Sequence, residues 1–216
     1  RSRIVLADSR ATRDDLIRVV GVDPQKIAVV YPGLDPELAR VENSAEIDRV
    51  CARYNITHRY LLHIGTVQPR KNLQRLIAAF ARVADQIPHQ LVLAGKAGWL
   101  AAPIHDAIAH LPPALQQRIV LPGFTADEDK AALLSGATAL LYPSLYEGFG
   151  FPVVEAQRCG VPVLCADSSS LPEVAGTGAL LIDPYDEEAL AAGIVRIIND
   201  DVLRDRLIAT GEKNLV

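Results

Sequence analysis

Apolar residues follow two different spacings along the chain, and the two spacings predict different elements. Short runs rich in Val, Ile and Leu, each bounded by turn residues, predict eight strands at residues 4–6, 27–31, 60–64, 90–94, 119–121, 139–142, 163–165 and 179–182. The longer segments between many of these runs carry apolar residues at helical spacing. Strands that alternate with helices are typical of α/β proteins, so the sequence predicts an α/β fold with a doubly wound parallel sheet.

Three helix starts can be read from capping residues. The clearest helix follows Asn72, its predicted N-cap. The capping-box spacing of Thr125 and Glu128 predicts a second start, and Asp186 before two glutamates predicts a third. The helix after Asn72 has one apolar stripe that we expect to lie on a sheet face, formed by Leu73, Leu76, Ile77, Phe80 and Val83.

A polar stretch containing Pro and Gly, residues 32–44, separates an opening strand–helix–strand unit from the main series. We therefore predict three parts, at residues 1–43, 44–199 and 200–216, of which the last is a single helix. The chain opens on a strand-like run close to Arg1 and contains no Met, so we expect it to be a piece of a longer protein.

Composition excludes several classes of protein. Half of the residues are hydrophobic and 22% are charged, which is typical of a folded domain. A net charge of −4 argues against nucleic acid as a partner. The three cysteines form no Cys-x-x-Cys pair, so we expect no disulfide framework, no metal site and a reducing cytoplasm. No apolar run has the roughly 18 residues that a membrane span needs.

The glycine-rich segment EGFGFPVVE places Glu147 and Glu155 eight residues apart around a predicted helix start. Gly148 and Gly150 permit unusual backbone angles and close approach of main-chain N–H groups. Pro152 is a good first helical residue because it has no N–H to leave unpaired. Unpaired N–H groups at a helix start favour an anion, so the segment predicts a site for a phosphorylated, hydroxyl-rich ligand.

This segment resembles the Glu-x7-Glu signature of the retaining group 1 glycosyltransferases, glycosyltransferase family 4, which have the GT-B fold. The resemblance implies that Glu147 lies by the donor sugar and acts catalytically. It places the backbone of Gly148, Phe149 and Gly150 by the sugar and diphosphate, and Glu155 on the nucleotide ribose. It also implies that the main series is the C-terminal, Rossmann-like half of that fold, and that the opening unit ends an N-terminal acceptor domain and runs into the hinge.

The loop GTVQPRKN follows a predicted strand and delivers two cations before a helix. Arg70 and Lys71 could clamp a diphosphate or be solvated surface charges. Family members commonly carry Gly-Arg here and a Lys downstream, both on the diphosphate. The resemblance therefore assigns Gly65 and Lys71 to the donor, with Lys71 catalytic, whereas Thr66 stands at the usual Arg position. Thr66 and Arg70 are also counted in the expected donor site, and Arg70 is the candidate replacement for that Arg.

Three further loops follow predicted strands. Gly95 resembles the family's turn beside the nucleotide, and Gly123 with Phe124 resembles the segment beside the base. Trp99 could pack on the sheet or stack near the base, and we expect packing. Glu173 is expected to be a structural first-turn residue of a helix.

The resemblance implies transfer of a hexose from a nucleoside diphosphate sugar to an acceptor hydroxyl, in bacterial polysaccharide or lipopolysaccharide synthesis. No cofactor or metal is expected. The acceptor, a glycan or lipid-linked saccharide, would bind to the missing N-terminal domain, so we expect this chain alone to be inactive. The expected location is the cytoplasm, with peripheral contact at the inner face of the membrane left open. The alternatives are a noncatalytic nucleotide-sugar-binding module and a sugar-nucleotide epimerase of similar fold.

Overall fold

A computed structural model of the chain describes residues 2–215. Every predicted strand is present, with bounds that differ from the prediction by no more than two residues. The strands are β1 (Val5–Ala7), β2 (Ile27–Val29), β3 (Tyr60–Ile64), β4 (Gln90–Ala94), β5 (Ile119–Gly123), β6 (Ala139–Tyr142), β7 (Val163–Ala166) and β8 (Ala179–Ile182). The helices are α1 (Arg10–Arg18), α2 (Ser44–Arg53), α3 (Leu73–Val83), α4 (Ala102–Ala109), α5 (Pro113–Gln116), α6 (Asp127–Ser135), α7 (Phe151–Arg158), α8 (Leu171–Ala175), α9 (Glu187–Asn199) and α10 (Asp201–Asn214).

The main sheet has six strands in the order β5-β4-β3-β6-β7-β8, and every neighbouring pair is parallel. The first three strands therefore run outward from β3 in one direction, and the last three continue from β6 in the other. This order is that of the doubly wound dinucleotide-binding fold, whose topological switch point lies between the first and fourth strands. The α/β prediction is confirmed, and the switch point falls between β3 and β6.

Helices cover both faces of this sheet, because side chains alternate along each strand and both sets are apolar. Leu61, Leu91 and Leu141 face one core, which α3 and α9 cover. Leu62, Val92 and Leu140 face the other core, which holds residues of α6 and α7. The predicted stripe of α3 is buried in full, with Leu76 and Phe80 at 0% exposure.

The opening unit forms a separate two-stranded parallel sheet from β1 and β2, with α1 between them in sequence. Its boundary with the main series, placed near residue 43, remains a prediction. Within residues 2–215, helices long and apolar enough to cross a membrane are absent.

Three local predictions were wrong. Asn72 occupies the N-cap position of α3, but its side chain does not cap that helix: its amide donates instead to the carbonyls of Pro143 and Pro184. Helix α6 has Ala126 at its N-cap, without a side-chain cap from the predicted box. Trp99 is 69% exposed and does not pack on the sheet, because it follows the strand in a surface turn.

Candidate functional site

The predicted site loops meet at the switch point of the sheet. The loop after β3 ends in a 3₁₀ turn, Pro69–Lys71, and the loop after β6 carries Glu147. Strands β3 and β6 are parallel neighbours, so their carboxyl ends lie at the same edge. A crevice opens at such an edge because the connecting helices leave toward opposite faces. Residues 76 positions apart in sequence are thereby brought into contact.

Glu147 is the centre of a buried ionic cluster. Its Oε1 atom lies 2.6 Å from Nζ of Lys71, and its Oε2 atom lies 2.6 Å from Nη1 of Arg70. The hydroxyl of Tyr142 lies 3.1 Å from Oε1 of Glu147 and 2.5 Å from Nζ of Lys71. Lys71 and Glu147 are buried, whereas the Arg70 side chain is 38% exposed. Arg70 is therefore the most solvent-accessible member of the cluster.

The cluster holds its carboxylate in the charged state. Burial by itself raises the pKa of Glu147, but the charge of Lys71 and hydrogen bonds from Lys71 and Arg70 outweigh burial, so the pKa lies below its ordinary value. Burial lowers the pKa of the Lys71 ammonium, and the attraction of Glu147 offsets this only in part. An ionised carboxylate therefore pairs with two cationic side chains. This pairing offsets the cost of burying the charge of Glu147.

His63 supports the cluster from within the sheet. Its ring stacks on Tyr142 with a centroid distance of 5.4 Å. Its Nδ1 atom lies 3.1 Å from the carbonyl oxygen of Leu141, which can only accept, so Nδ1 carries the hydrogen. Burial lowers the pKa of His63 to about 4, and the side chain is neutral at pH 7. A neutral ring adds no further positive charge next to Lys71.

A row of glycines crosses the same edge of the sheet. The N–H of Gly65 donates to Ala94, and the N–H of Gly95 donates to Gly123. Gly95 has φ +148, and a Cβ atom there would lie 1.9 Å from the carbonyl oxygen of Gly65. Because that gap cannot hold a side chain, the main chains of the two loops are in direct contact, and the edge presents backbone groups.

The turn that precedes α7 depends on its two glycines for different reasons. Gly150 has φ +106, and a Cβ atom there would lie 2.7 Å from Leu171. Gly148 does not have a positive φ, so the unusual backbone angle predicted for it is wrong. Space is short at Gly148 instead: a Cβ atom there would lie 2.9 Å from Oδ2 of Asp8, and that carboxylate would have to move.

Glu155 lies in α7 and contacts a cation that the sequence analysis did not identify. Its Oε1 atom accepts a hydrogen bond of 3.0 Å from Lys130 of α6. The two residues are 25 positions apart in sequence. Since α6 and α7 pack together, only their relative placement reveals the pair.

The remaining predicted residues lie outside the ionic cluster. Thr66 is exposed, and its methyl group faces Gly98. Its hydroxyl is uncharged and cannot replace the charge of an Arg side chain. Phe124 is 59% exposed, and the ammonium of Lys96 lies 4.5 Å from its ring centroid. The structure thus brings Arg70, Lys71 and Glu147 together and leaves Phe124 at the end of β5.

Glu173 has a larger structural role than the predicted first-turn position. It does lie in the first turn of α8, but its carboxylate accepts the N–H groups of Arg10 and Ala11 at 2.9–3.3 Å. The hydroxyl of Tyr31 donates to the same carboxylate at 2.6 Å. Glu173 therefore joins the opening unit to the main series, which no local pattern could show.

Among residues 2–215, groups of three or more His, Cys, Asp or Glu side chains placed to hold a metal ion are absent. A cavity of about 770 Å³ lies between the opening unit and α8, lined in part by Arg10, Tyr31, Phe149 and Glu173. Arg70, Lys71 and Glu147 do not line this cavity. Phe149, which does, is two residues from Glu147 in the chain.

Comparison with known proteins connects this geometry to one family. The family model described as glycosyl transferases group 1 matches residues 48–214. The O-antigen chain mannosyltransferase B of Escherichia coli is 32% identical over 213 residues, which cover 97% of this chain and 55% of that protein. A D-inositol 3-phosphate glycosyltransferase of Corynebacterium glutamicum is 28% identical, over 94% of this chain and 51% of that protein. The chain thus spans about half the length of these relatives.

Solved structures have the same fold. The crystal structure of Anabaena HepE in complex with UDP and glucose superposes with a TM-score of 0.85 at 24% identity, over 99% of this chain and 59% of that chain. Sucrose-phosphate synthase from Thermosynechococcus elongatus superposes with a TM-score of 0.82 at 26% identity, over 100% of this chain and 54% of that chain.

Proposed function

The chain belongs to the group 1 glycosyl transferases, and on that basis we propose that it is the donor-binding part of a retaining enzyme. The proposed reaction transfers a hexose from a nucleoside diphosphate sugar to an acceptor hydroxyl. The observation that carries this proposal is the contact of both Arg70 and Lys71 with Glu147 at the switch point of the sheet.

Lys71 and Arg70 both have N–H groups that are not used within the cluster and could donate to a diphosphate. The Lys71 ammonium has three N–H groups, of which Tyr142 and Glu147 engage two. The Arg70 guanidinium has five, and Nη1 serves Glu147 and the carbonyl of Tyr146. Charge-assisted bonds to phosphate oxygens are about twice as strong as neutral ones. A diphosphate in the crevice would therefore gain from both side chains.

These groups suit the chemical problem of glycosyl transfer. When the bond from the anomeric carbon to the diphosphate breaks, negative charge grows on the leaving phosphate and positive charge on the sugar. Lys71 and Arg70 would stabilise the leaving group, and they would do so more in the transition state than in the ground state. Glu147, ionised and held in place by two cations, would orient donor hydroxyls or stabilise the cationic sugar. Positioned charges need no reorganisation during the reaction.

The nucleoside would lie along the glycine row. We assign the ribose to Glu155, whose Oε2 atom has no hydrogen-bond partner among residues 2–215 while Lys130 holds Oε1. The base is assigned to the main chain near Gly123 and Phe124, at the end of β5. Backbone groups can approach closely there because Gly65 and Gly95 have no side chains.

The names of the relatives favour a mannosyl donor as the first to test. O-antigen chain mannosyltransferase B and the serotype-specific mannosyltransferase WbdA of Escherichia coli both match 97% of this chain. Solved neighbours hold UDP or UDP-glucose, so uridine donors belong in the same comparison. The proposed setting is bacterial polysaccharide or lipopolysaccharide synthesis, in the cytoplasm or at the inner face of the membrane.

The acceptor, a glycan or lipid-linked saccharide, is proposed to bind outside this chain. The relatives are about twice as long, and a GT-B active site lies between two domains. We therefore propose that the 216 residues bind a donor without transferring its sugar.

Calorimetric titration with UDP, GDP, ADP, UDP-glucose and GDP-mannose tests this proposal. Saturable binding of one nucleoside diphosphate and its sugar is expected, without turnover by this chain. Transfer of the sugar by the full-length protein, with the same anomeric configuration in product and donor, would support the retaining assignment. Binding without transfer by the full-length protein would favour a noncatalytic module, and binding of none of these ligands would refute the donor site.

A further inference from the structure

One buried hydroxyl holds two peptide groups of the segment that contains Glu147. The Ser170 hydroxyl lies 3.0 Å from the carbonyl oxygen of Glu147 and 2.8 Å from that of Phe149. A serine has one hydroxyl hydrogen, so the two carbonyls share it in a three-centre bond. Ser170 is 0% exposed, and no solvent competes for that hydrogen.

Two further hydroxyls hold the peptide group in between. The Ser9 hydroxyl lies 2.6 Å from the carbonyl oxygen of Gly148, and that of Thr12 lies 3.2 Å from the same oxygen. Ser9 is fully buried at the N-cap of α1, where its oxygen also accepts the N–H of Thr12. Both residues belong to the opening unit, more than 130 positions away in sequence.

The orientation of these carbonyls fixes the orientation of three N–H groups. In a trans peptide the C=O of one residue and the N–H of the next point in opposite directions. The N–H groups of Gly148 and Gly150 therefore point away from Ser170, and that of Phe149 points away from α1. Within residues 2–215, these three N–H groups donate to no other group.

We propose that Ser170 is a positioning residue that aims the N–H groups of Gly148 and Gly150 at the donor. Ser9 and Thr12 aid it by fixing the peptide group between them, that of Gly148 and Phe149. This inference rests on the proposed function. It adds residues outside the signature segment, two of them in the opening unit.

The need for such hydroxyls follows from the glycines themselves. A glycine has no side chain to limit rotation of the adjoining peptide groups, so a free loop of this composition would sample many orientations. Hydroxyl bonds to the three carbonyls select one orientation before the ligand arrives. Binding then avoids part of the entropy cost of ordering the loop.

The variant Ser170→Ala tests the proposal, with Ser168→Ala as its matched control. The Ser168 hydroxyl also donates to a carbonyl in this region, that of Ser144, at 3.0 Å, but does not contact residues 147–149. Ser170 lies at the N-cap position of α8 without capping it, so the variant loses no cap. Affinities for UDP, GDP and ADP, and for the matching nucleosides, are measured on the 216-residue chain.

We expect Ser170→Ala to weaken the best diphosphate about tenfold and to leave the nucleoside within about twofold, because only the phosphates need the N–H groups. Ser168→Ala should bind both as the wild type does. If Ser170→Ala does not fold, Thr12→Val is measured in its place, with an expected loss of about threefold.

The outcomes separate this inference from the proposed function. If the wild type binds a diphosphate and Ser170→Ala binds it equally well, the positioning role is wrong while the donor site stands. An equal loss for nucleoside and diphosphate would show a general structural defect and also overturn the role. If the wild type binds none of the diphosphates, the proposed function fails, and this inference fails with it.

Discussion

Oε1 of Glu147 lies 2.6 Å from Nζ of Lys71, and both side chains are buried although 76 positions separate them in sequence. The pair forms because two parallel strands end side by side. Removing either partner leaves a charge with reduced compensation in a buried place, which is more costly than losing a surface pair.

Lys71→Ala should weaken binding of a nucleoside diphosphate about 100-fold, or about 2.7 kcal/mol, and leave nucleoside binding unchanged. The ammonium can reach only the phosphates in the proposed arrangement. Calorimetry on both ligands measures the difference. The control is Lys213→Ala, which removes an exposed lysine of α10 and should bind both ligands as the wild type does. If Lys71→Ala and the wild type bind the diphosphate with equal affinity, Lys71 does not contact the phosphates.

Arg70→Ala should weaken diphosphate binding about tenfold, because Arg70 is the exposed cation of the cluster. Adding Thr66→Arg to this variant should restore most of the loss, since Thr66 is exposed at the position where the family commonly carries Arg. Calorimetry on the single and double variants gives both values. An Arg70→Ala variant of undiminished affinity would show that Lys71 alone serves the diphosphate.

Glu155→Ala should weaken nucleoside and nucleoside diphosphate by the same factor, about tenfold, because the proposed contact is with the ribose they share. A 2′,3′-dideoxynucleotide should bind the wild type and Glu155→Ala equally. Lys130→Ala should show a smaller loss, since Lys130 contacts the ligand only through Glu155. A dideoxynucleotide that still distinguishes the variant from the wild type would contradict the ribose assignment.

Gly95→Ala should lower the free energy of unfolding by ~3 kcal/mol or more, because its Cβ atom would lie 1.9 Å from the carbonyl oxygen of Gly65. Gly123→Ala is the matched control: its φ is also positive, at +75, but a Cβ atom there meets nothing within 4 Å. That variant should lose only ~1 kcal/mol from backbone strain. Urea denaturation compares the two, and equal losses would show that the close approach of the loops is not rigid.

His63 should make the protein less stable as the pH falls from 6.5 to about 4. Burial lowers its folded pKa to about 4 from the ordinary 6.5, so only the unfolded chain binds a proton in that window. The unfolded state therefore gains on acidification, by at most ~3 kcal/mol for this group. Urea denaturation of the wild type and His63→Gln across this range isolates the effect, because all other titratable groups are common to both. Parallel pH profiles would contradict it.

Local sequence patterns predicted most of the fold. Strands such as 60–64 and 90–94 were predicted to the residue because apolar runs bounded by turns leave few alternatives. The segment from Glu147 to Glu155 was also visible, since its glycines and Pro152 mark a helix start. Two predictions about side chains were wrong for different reasons. The Asn72 amide donates to carbonyls of two distant loops, whereas Trp99 lies exposed in a surface turn.

The sequence by itself determined the alternation of strands and helices, the cations after β3 and the acidic segment after β6. These follow from the spacing of apolar residues and from the backbone freedom of glycine, which are properties of neighbours in the chain. Only the tertiary structure decided that Arg70 and Lys71 share the carboxylate of Glu147, that Lys130 holds Glu155, and that Ser9 and Ser170 fix the loop between the two glutamates. Such contacts join residues from 21 to 139 positions apart. They exist because the order of strands brings separate loops to one edge of the sheet, because α6 packs on α7, and because the opening unit contacts the loop after β6.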